Sequence, residues 1–432
     1  MKVLIVAGGK GTRLKDVTGD LPKPLVPFGE SSLLEHLISR CVHYGFKEIH
    51  LLTGYNCEKI EEVIGNGSAL GANVFHHPEP TPLGTAGSIK ALEPLLSSGP
   101  FLVLYGDVFM DMDLARLANF HHAHNGDATL VTHPNDHPYD SDLIELDGDR
   151  VTGFLPKPRD QSIPQLNVVN AGAYILNPSI LDHIPAGRAL DLGRDIFPDC
   201  VDAGLPFFAY NTPEYLKDIG TPDRYHHVLN DYLSGRCASR RLDQSRRCVF
   251  LDRDGTLNYH RNFIFQPSEF ELIPGSVEAV RLLNQNDWLC ILTTNQPQIA
   301  RGDLTVRGLT EVHKKMEHEL GSGGAWLDST YFCPHHPDSG FPGEVKELKG
   351  PCSCRKPASG MYEQAAQKFN IDLTQSWVVG DTTLDIAAAQ NIGARSVLVH
   401  TGQAGSDGKF AVSPTHQATD LLEAVKIITS SI

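Results

Sequence analysis

Two aspartates two residues apart, Asp252 and Asp254, stand directly after the apolar run Cys248–Leu251 in the string Asp252-Arg253-Asp254-Gly255-Thr256-Leu257. A strand ending there points both carboxylates the same way, because side chains alternate with a period of two. Asp252 can attack phosphorus to form an aspartyl phosphate, while Asp254 protonates the leaving oxygen and later activates water. Adjacent carboxylates repel unless a cation lies between them. Asp381, in Gly380-Asp381-Thr382-Thr383-Leu384-Asp385 after the run Trp377–Val379, offers a third carboxylate for Mg²⁺, shared with Asp252 and Asp254. Thr294 and Lys356 complete the set of a phosphomonoesterase. Between these motifs, Cys333-Pro334-His335-His336-Pro337 and Cys352-Ser353-Cys354 gather soft donors suited to tetrahedral Zn²⁺. The ligands expected are Cys333, His335, Cys352 and Cys354, with His336 as the alternative imidazole. Cys354 lies two residues from Lys356, so the zinc would be structural, pinning the loop that carries the lysine.

A second chemistry sits at the other end of the chain. Gly8-Gly9-Lys10-Gly11-Thr12-Arg13-Leu14 follows the apolar run Lys2–Ala7. Such a loop exposes backbone N–H groups and lets a triphosphate approach with no Cβ in the way. Arg13 and Lys10 add mobile charge. No Gly-Lys-Ser/Thr closes the loop, so it is not a Walker loop. Downstream come Leu21-Pro22-Lys23-Pro24-Leu25-Val26-Pro27, Pro82-Leu83-Gly84-Thr85-Ala86-Gly87, Gly106-Asp107, Asn170-Ala171-Gly172 and Asp218-Ile219-Gly220-Thr221-Pro222.

In order and approximate spacing these strings resemble the sugar 1-phosphate nucleotidylyltransferase family over about the first 230 residues. Their wording looks most like the heptose 1-phosphate and mannose 1-phosphate guanylyltransferases. In that chemistry a sugar phosphate oxygen attacks the α-phosphorus of a nucleoside triphosphate and pyrophosphate leaves, so catalysis is positioning and charge neutralisation. The resemblance implies Asp107 and Asp218 as Mg²⁺ ligands, with Lys23 and Arg13 neutralising the triphosphate held by Gly8, Gly9, Gly11 and Thr12. It further implies Gly84, Thr85 and Gly87 near base and ribose, Lys157 on the sugar phosphate, and Asn170 and Gly172 facing the sugar. Pro156 stands where the family has a glutamate, a departure that removes one sugar-hydroxyl contact and leaves phosphate binding intact.

The elements Asp-x-Asp-Gly-Thr, Thr294-Asn295-Gln296, Arg355-Lys356-Pro357 and Gly380-Asp381 resemble the haloacid dehalogenase (HAD) superfamily. With the zinc loop they look like the D-glycero-D-manno-heptose 1,7-bisphosphate 7-phosphatases and the histidinol-phosphate phosphatases close to them, over Arg247 to about Gly402. The resemblance implies that Thr294 and Lys356 hold the transferring phosphoryl group and that Asp385 orients the lysine. Asn295 joins the binding set, and Arg301 and Arg355 are candidates to grip a second phosphate. Pro297-Gln298 replaces an expected Ser-Gly, and Thr382 stands where a lysine is common.

These residues need strands to carry them. Short apolar runs at Lys2–Ala7, Ile49–Leu52, Phe101–Tyr105 and Ala128–Thr132 alternate with helix-like stretches such as Ser32–Tyr44 and Thr85–Leu96, and the second half repeats the pattern from Cys248. At 432 residues the chain exceeds a single core, so two domains are expected. The ranges are 1–232 and 247–432, joined by the basic, polar linker 233–246. The fold class is α/β. The resemblances imply two Rossmann-like domains, a GT-A-like mixed sheet first and a HAD-like parallel sheet with its zinc loop second. A formal net charge of −15 argues against nucleic-acid and anionic-membrane partners. The odd count of nine cysteines, five of them isolated in apolar or mixed surroundings, reads as free thiols and metal ligands in a cytoplasmic protein. His121, His122 and His124 read as a solvated helix face. A homo-oligomer is compatible with all of this.

The function expected is therefore twofold: removal of the 7-phosphate of a heptose 1,7-bisphosphate, and transfer of GMP from GTP to the heptose 1-phosphate. The alternatives are a mannose or other hexose 1-phosphate with another nucleotide, or a silent regulatory module in one half.

Overall fold

Each short apolar run becomes a strand because its alternate residues are buried on opposite faces of a sheet. In Lys2–Ala7 (β1), Val3 and Ile5 enter one core and Leu4 enters another. In Cys248–Leu251 (β12), Val249 and Leu251 face one core while Cys248 and Phe250 face the other. Strands buried on both faces read as continuous hydrophobic runs, which is why these strands are visible in the sequence. The computed structural model describes residues 1–9 and 12–430; Gly11 and Lys10 lie outside the described residues, as does the side chain of Thr12.

Two units are present. The first has a nine-stranded mixed sheet built from β1, Glu48–Thr53 (β2), Asn73–Pro78 (β3), Phe101–Tyr105 (β4), Ala128–His133 (β6), Leu143–Asp147 (β7), Arg150–Leu155 (β8), Val169–Leu176 (β9) and Phe207–Asn211 (β10). The order is β3-β2-β1-β4-β9-β6-β10-β8-β7, with β2 and β4 parallel to β1 and β9 antiparallel to β4. A separate ribbon pairs Val108–Asp111 (β5) with Tyr215–Asp218 (β11). The helix Leu33–His43 (α1) starts at a capping box, in which the Ser32 hydroxyl accepts from Glu35 N and the Glu35 carboxylate accepts from Ser32 N. The stretch expected to be helical from Thr85 to Leu96 is two short helices, Gly84–Lys90 (α2) and Glu93–Leu96, the second starting at a Glu-Pro pair.

The second unit has a six-stranded parallel sheet of β12, Leu289–Asn295 (β13), Ser329–Cys333 (β14), Trp377–Gly380 (β15), Arg395–Val399 (β16) and His416–Ala418 (β17), in the order β14-β13-β12-β15-β16-β17. The chain winds outward from β12 on one side and then returns to β15 on the other. The ends of β12 and β15 therefore form a switch point, where open α/β sheets place their ligands. Helices Val306–Ser322 (α3), Gly360–Phe369 (α4) and Thr383–Asn391 (α5) belong to this unit. So do two short segments from the first half of the chain, Pro134–Asp140 and Pro158–Asn167, whereas the first unit runs on to Arg241 and includes the short helix Arg236–Ser239.

All nine cysteines are unpaired, and Cys237, in polar sequence, is buried. His121 departs from the expected solvated face: it is buried, with its Nδ1 2.9 Å from the Thr129 hydroxyl, because β6 packs under that turn of the helix Leu114–His124. Among the described residues no helix is long and apolar enough to cross a membrane.

Candidate active sites

In the first unit the β5–β11 ribbon sets Asp218 opposite Val108, which brings Asp107 beside it. Lys23, buried in the turn Lys23–Leu25, donates from Nζ to Asp107 Oδ2 at 2.9 Å and lies 3.5 Å from Asp218 Oδ1. Arg224, from the first turn of the helix Pro222–Leu233, donates to Asp218 Oδ2 at 2.9 Å. The two carboxylates are 48% and 39% exposed, open to a ligand on their outer side. This donor set fits Mg²⁺, which is usually held by one or two carboxylates with the remaining positions left to water and substrate phosphates. Gly9, after β1, would carry a Cβ into open space, and Gly8 meets only ordinary contacts, so neither glycine is demanded by packing. Arg13 is exposed at the end of this loop.

Gly84 and Gly87 are demanded by packing. A Cβ would stand 2.4 Å from Leu190 O at Gly84, whose φ is +69°, and 2.3 Å from Arg188 O at Gly87. The Thr85 hydroxyl donates to Asp191 Oδ2 at 2.9 Å and accepts from Leu192 N at 2.8 Å. This motif therefore clasps Arg188–Leu192 against the start of α2. Asp142 gathers two of the residues expected to meet the sugar phosphate: its Oδ1 accepts from Lys157 N and its backbone O from Asn170 N, both at 3.0 Å. Gly172 sits in an irregularity of β9 with φ +73°, against the Tyr105 ring. That backbone conformation favours glycine.

In the second unit Asp252 follows β12 and accepts from Lys356 Nζ at 2.6 Å; Lys356 also donates to Asp385 Oδ1 at 2.6 Å and to Thr293 O at 3.0 Å. Burial opposes the charge on Lys356, and Asp252 and Asp385 more than reverse it, so the ammonium is held protonated. The carboxylates within 4.8 Å of one another are Asp252, Asp381 and Asp385. Burial pushes Asp252 up to about 8 against the pull of Lys356, with Asp385 and Asp381 adding to the rise. Burial and then Asp385 raise Asp381 to about 7. Three buried carboxylates facing one ammonium carry excess negative charge, and Asp381 Oδ1 is buried without a hydrogen-bond partner. Both features fit a divalent cation.

Asp254 is not in that group. Its carboxylate turns to the fully buried Arg253, to Asn258 Nδ2 at 3.1 Å and to Gln296 Nε2 at 3.1 Å. Burial works to raise Asp254, but Arg253, Asn258 and Gln296 together carry it below the ordinary carboxylate range. Of the expected trio Asp252, Asp254 and Asp381, the fold thus joins the first and third and adds Asp385. Gln296 also donates to the Thr294 hydroxyl at 2.9 Å, and Asn295 brackets Lys356 by accepting from its N at 3.0 Å and donating to its O at 3.3 Å. Sequence reading missed Arg224, Arg253, Asn258 and Gln296. It also missed the loop after β16, where Gln403 N donates to Asp381 Oδ2 at 2.6 Å and Gly405 N to Asp381 O at 2.8 Å. Gln296 was within reach, since it belongs to the Thr-Asn-Gln string; Gln403 begins the tail beyond Gly402, which carries no motif.

Cys333 ends β14, and His335, Cys352 and Cys354 close around it. The Sγ atoms of Cys352 and Cys354 lie 3.7 and 3.1 Å from that of Cys333, Cys352 and Cys354 are 3.6 Å apart, and His335 Nδ1 is 3.7 Å from Cys333 and 3.2 Å from Cys354. Zinc–sulfur bonds of about 2.3 Å give a tetrahedral edge of about 3.8 Å, close to these spacings. His336 instead accepts from Asp338 N at 3.0 Å. Arg355 donates to His335 O at 3.1 Å, and Arg301 lies between the rings of Phe263 and Phe341 and pairs with Asp303 at 2.9 Å.

The chain matches the nucleotidyl transferase family over residues 2–235 and a HAD-hydrolase-like family over residues 353–424. It is 34% identical to mannose-1-phosphate guanylyltransferase of Mycobacterium tuberculosis over 254 residues, 58% of this chain and 70% of that protein. It is 31% identical to UTP–glucose-1-phosphate uridylyltransferase of Synechocystis over 248 residues, 54% of this chain and 64% of that protein. The chain thus spans about two thirds of the length of these transferases. Over 189 residues it is 39% identical to D-glycero-beta-D-manno-heptose-1,7-bisphosphate 7-phosphatase of Yersinia pestis, covering 43% of this chain and 98% of that protein. The chain therefore belongs to the nucleotidyl transferase family through its first half, and the same polypeptide continues into a HAD-type unit of the heptose-bisphosphate phosphatase kind.

Proposed function

We propose that the protein catalyses two steps of nucleotide-activated heptose formation: hydrolysis of the 7-phosphate of D-glycero-D-manno-heptose 1,7-bisphosphate, and transfer of GMP from GTP to the resulting heptose 1-phosphate. The observation that carries this reading is the union, in one chain, of a sugar 1-phosphate transferase fold with a unit that matches a heptose bisphosphatase over nearly its whole length. The product of one site is the substrate class of the other.

At the phosphatase site Asp252 attacks phosphorus; Asp254, held ionised in the free protein by Arg253, Asn258 and Gln296, takes up a proton as the phosphate ester binds, passes it to the leaving ester oxygen, and then deprotonates the water that opens the aspartyl phosphate, returning Asp252 and inorganic phosphate. Thr294 and Lys356 hold the phosphoryl oxygens, with Asp385 fixing the lysine. Arg301 and Arg355 face the second phosphate in this reading. At the transferase site no protein nucleophile is needed: Lys157, Asn170 and Gly172 hold the sugar 1-phosphate, and Lys23, Arg13 and the loop with Gly8 and Gly9 hold the triphosphate. Mg²⁺ on Asp107 and Asp218, and on Asp252 and Asp381, supplies charge neutralisation when bound. Nine unpaired cysteines support a reducing, cytoplasmic setting.

The base divides the relatives, since one is named for a guanylyl and one for a uridylyl transfer. A hexose 1-phosphate or another nucleotide is the second reading. Mass spectrometry of products decides, after incubation with Mg²⁺, either anomer of the heptose bisphosphate and an equal mixture of GTP, ATP, CTP and UTP. GDP-heptose with pyrophosphate and free phosphate is the expected result. Phosphate release with no nucleotide sugar overturns the transferase half.

The four-ligand cluster is read as a structural zinc site. Elemental analysis is expected to give near one zinc per chain, and Cys352→Ser to lose the metal while the parallel sheet keeps its fold by circular dichroism. Phosphatase activity drops because Cys354 and Lys356 share one loop. A fully active wild-type protein free of zinc would end this assignment.

A further inference from the structure

The two carboxylate oxygens of Asp381 are treated differently by the fold. The residue is fully buried; Oδ2 accepts from Gln403 N at 2.6 Å, and Oδ1 has no hydrogen-bond partner. Oδ2 is also walled in by backbone, since a Cβ on Gly402 would stand 2.0 Å from it and one on Gly255, whose φ is +90°, 2.4 Å from it. Glycine is therefore required at both positions, and the carboxylate has little room to turn. A buried carboxylate oxygen left without a donor is costly unless a ligand completes it.

The loop that supplies this wall follows β16 and is fastened along its length within the second unit. The Thr401 hydroxyl donates to Gly255 O at 2.6 Å, and Gly405 N donates to Asp381 O at 2.8 Å. Further on, the Asp407 carboxylate accepts from Thr383 N at 2.7 Å and from the Thr383 hydroxyl at 2.6 Å, and Phe410 N donates to that hydroxyl at 3.2 Å. Thr383 is the first residue of α5, so Asp407 satisfies a helix N–H that has no partner inside the helix. Between the bonds of Gln403 and Gly405, Ala404 takes φ +51°, a left-handed conformation unfavourable for a residue with a Cβ and kept only where its surroundings impose it.

We propose that the loop 401–410 sets Asp381 as a cation ligand: Gln403 N and Gly402 hold Oδ2 and leave Oδ1 for Mg²⁺, and Asp407 is the positioning residue that keeps the loop in place through Thr383. Outer hydrogen bonds of this kind fix a ligand's orientation and raise metal affinity. The proposal rests on reading the second unit as a Mg²⁺-dependent phosphatase.

The test uses the full chain, with Mn²⁺ binding followed by electron paramagnetic resonance beside the Mg²⁺ dependence of phosphate release. The site in question is the one that Asp381→Asn abolishes. Asp407→Ala is expected to weaken Mn²⁺ there about tenfold and to raise the half-saturating Mg²⁺ by about the same factor. At saturating Mg²⁺, kcat and KM for the sugar bisphosphate stay within about twofold of wild type, a split that general damage to the unit would not give. Asp407→Asn still accepts from Thr383 N and is expected to bind Mn²⁺ within about threefold of wild type, since asparagine caps a helix start as well as aspartate. Where Asp407→Ala loses its fold by circular dichroism, Thr383→Val, which deletes one hydroxyl and keeps the backbone bond, decides by the same Mn²⁺ measurement. Wild-type Mn²⁺ affinity in whichever of Asp407→Ala and Thr383→Val folds overturns the proposal, as does a fall in kcat at saturating Mg²⁺ with metal affinity unchanged. A wild-type chain that binds no Mn²⁺ at Asp381 fails the reading of the site itself, and the role of the loop falls with it.

Discussion

Asp252→Asn is expected to abolish phosphate release, by about 10⁴-fold or more, the scale on which loss of a covalent nucleophile is felt. The same protein is expected to keep nucleotidyl transfer within about twofold of wild type. Asparagine matches the aspartate in shape but its amide does not attack phosphorus. The substitution also removes one of three clustered carboxylates, and Lys356 keeps its bond to Asp385. The buried charge that remains is therefore better balanced than in the metal-free wild type, so the loss of activity is not a loss of fold. Phosphate release and pyrophosphate release, measured separately on one preparation, check both halves. Loss of both activities would refute two independent sites.

Asp107→Ala is expected to produce the opposite pattern. Removing one carboxylate of the Asp107–Asp218 pair leaves a single protein ligand for the cation and frees Lys23 to pair with Asp218 alone. Electrostatic elements of this kind are worth about 10²–10³ in rate, so pyrophosphate release should fall by that factor while phosphate release is unchanged. Raising Mg²⁺ should recover part of the rate, because binding and not folding has been weakened. A variant with wild-type transfer would move the cation site away from the β5–β11 ribbon.

The two effects are separable because the Asp107–Asp218 pair stands on the β5–β11 ribbon, whereas Asp252 and Asp381 stand at the ends of β12 and β15. Neither nucleophile, acid nor cation ligand is contributed to one chemistry from the strands that carry the other.

The strands Lys2–Ala7, Phe101–Tyr105, Cys248–Leu251, Leu289–Asn295 and Trp377–Gly380 were legible from the chain, since strands buried on both faces appear as short unbroken apolar runs. The strands Leu143–Asp147, Arg150–Leu155 and His416–Ala418 were not, because they are partly exposed and mix polar with apolar residues. The string from Asp252 to Leu257 was legible because its geometry is local, and the cluster Cys333, His335, Cys352 and Cys354 because it consists of two local pairs of soft donors, each pair two residues apart, that the fold brings together.

The sequence by itself determined which chemistries the protein holds, through residue types crowded into strings a few residues long. The tertiary structure alone decided which partners those residues take. It turned Asp254 toward Arg253, Asn258 and Gln296, put Asp385 with Asp252 and Asp381, set Arg224 on Asp218, and brought Gln403 to Asp381. It also closed Gly84 and Gly87 on Arg188–Leu190. Most of these contacts depend on strand order and on the path of connections, which hydrophobic periodicity leaves open: a period of two or of 3.6 says which face of an element is buried and not which element covers it.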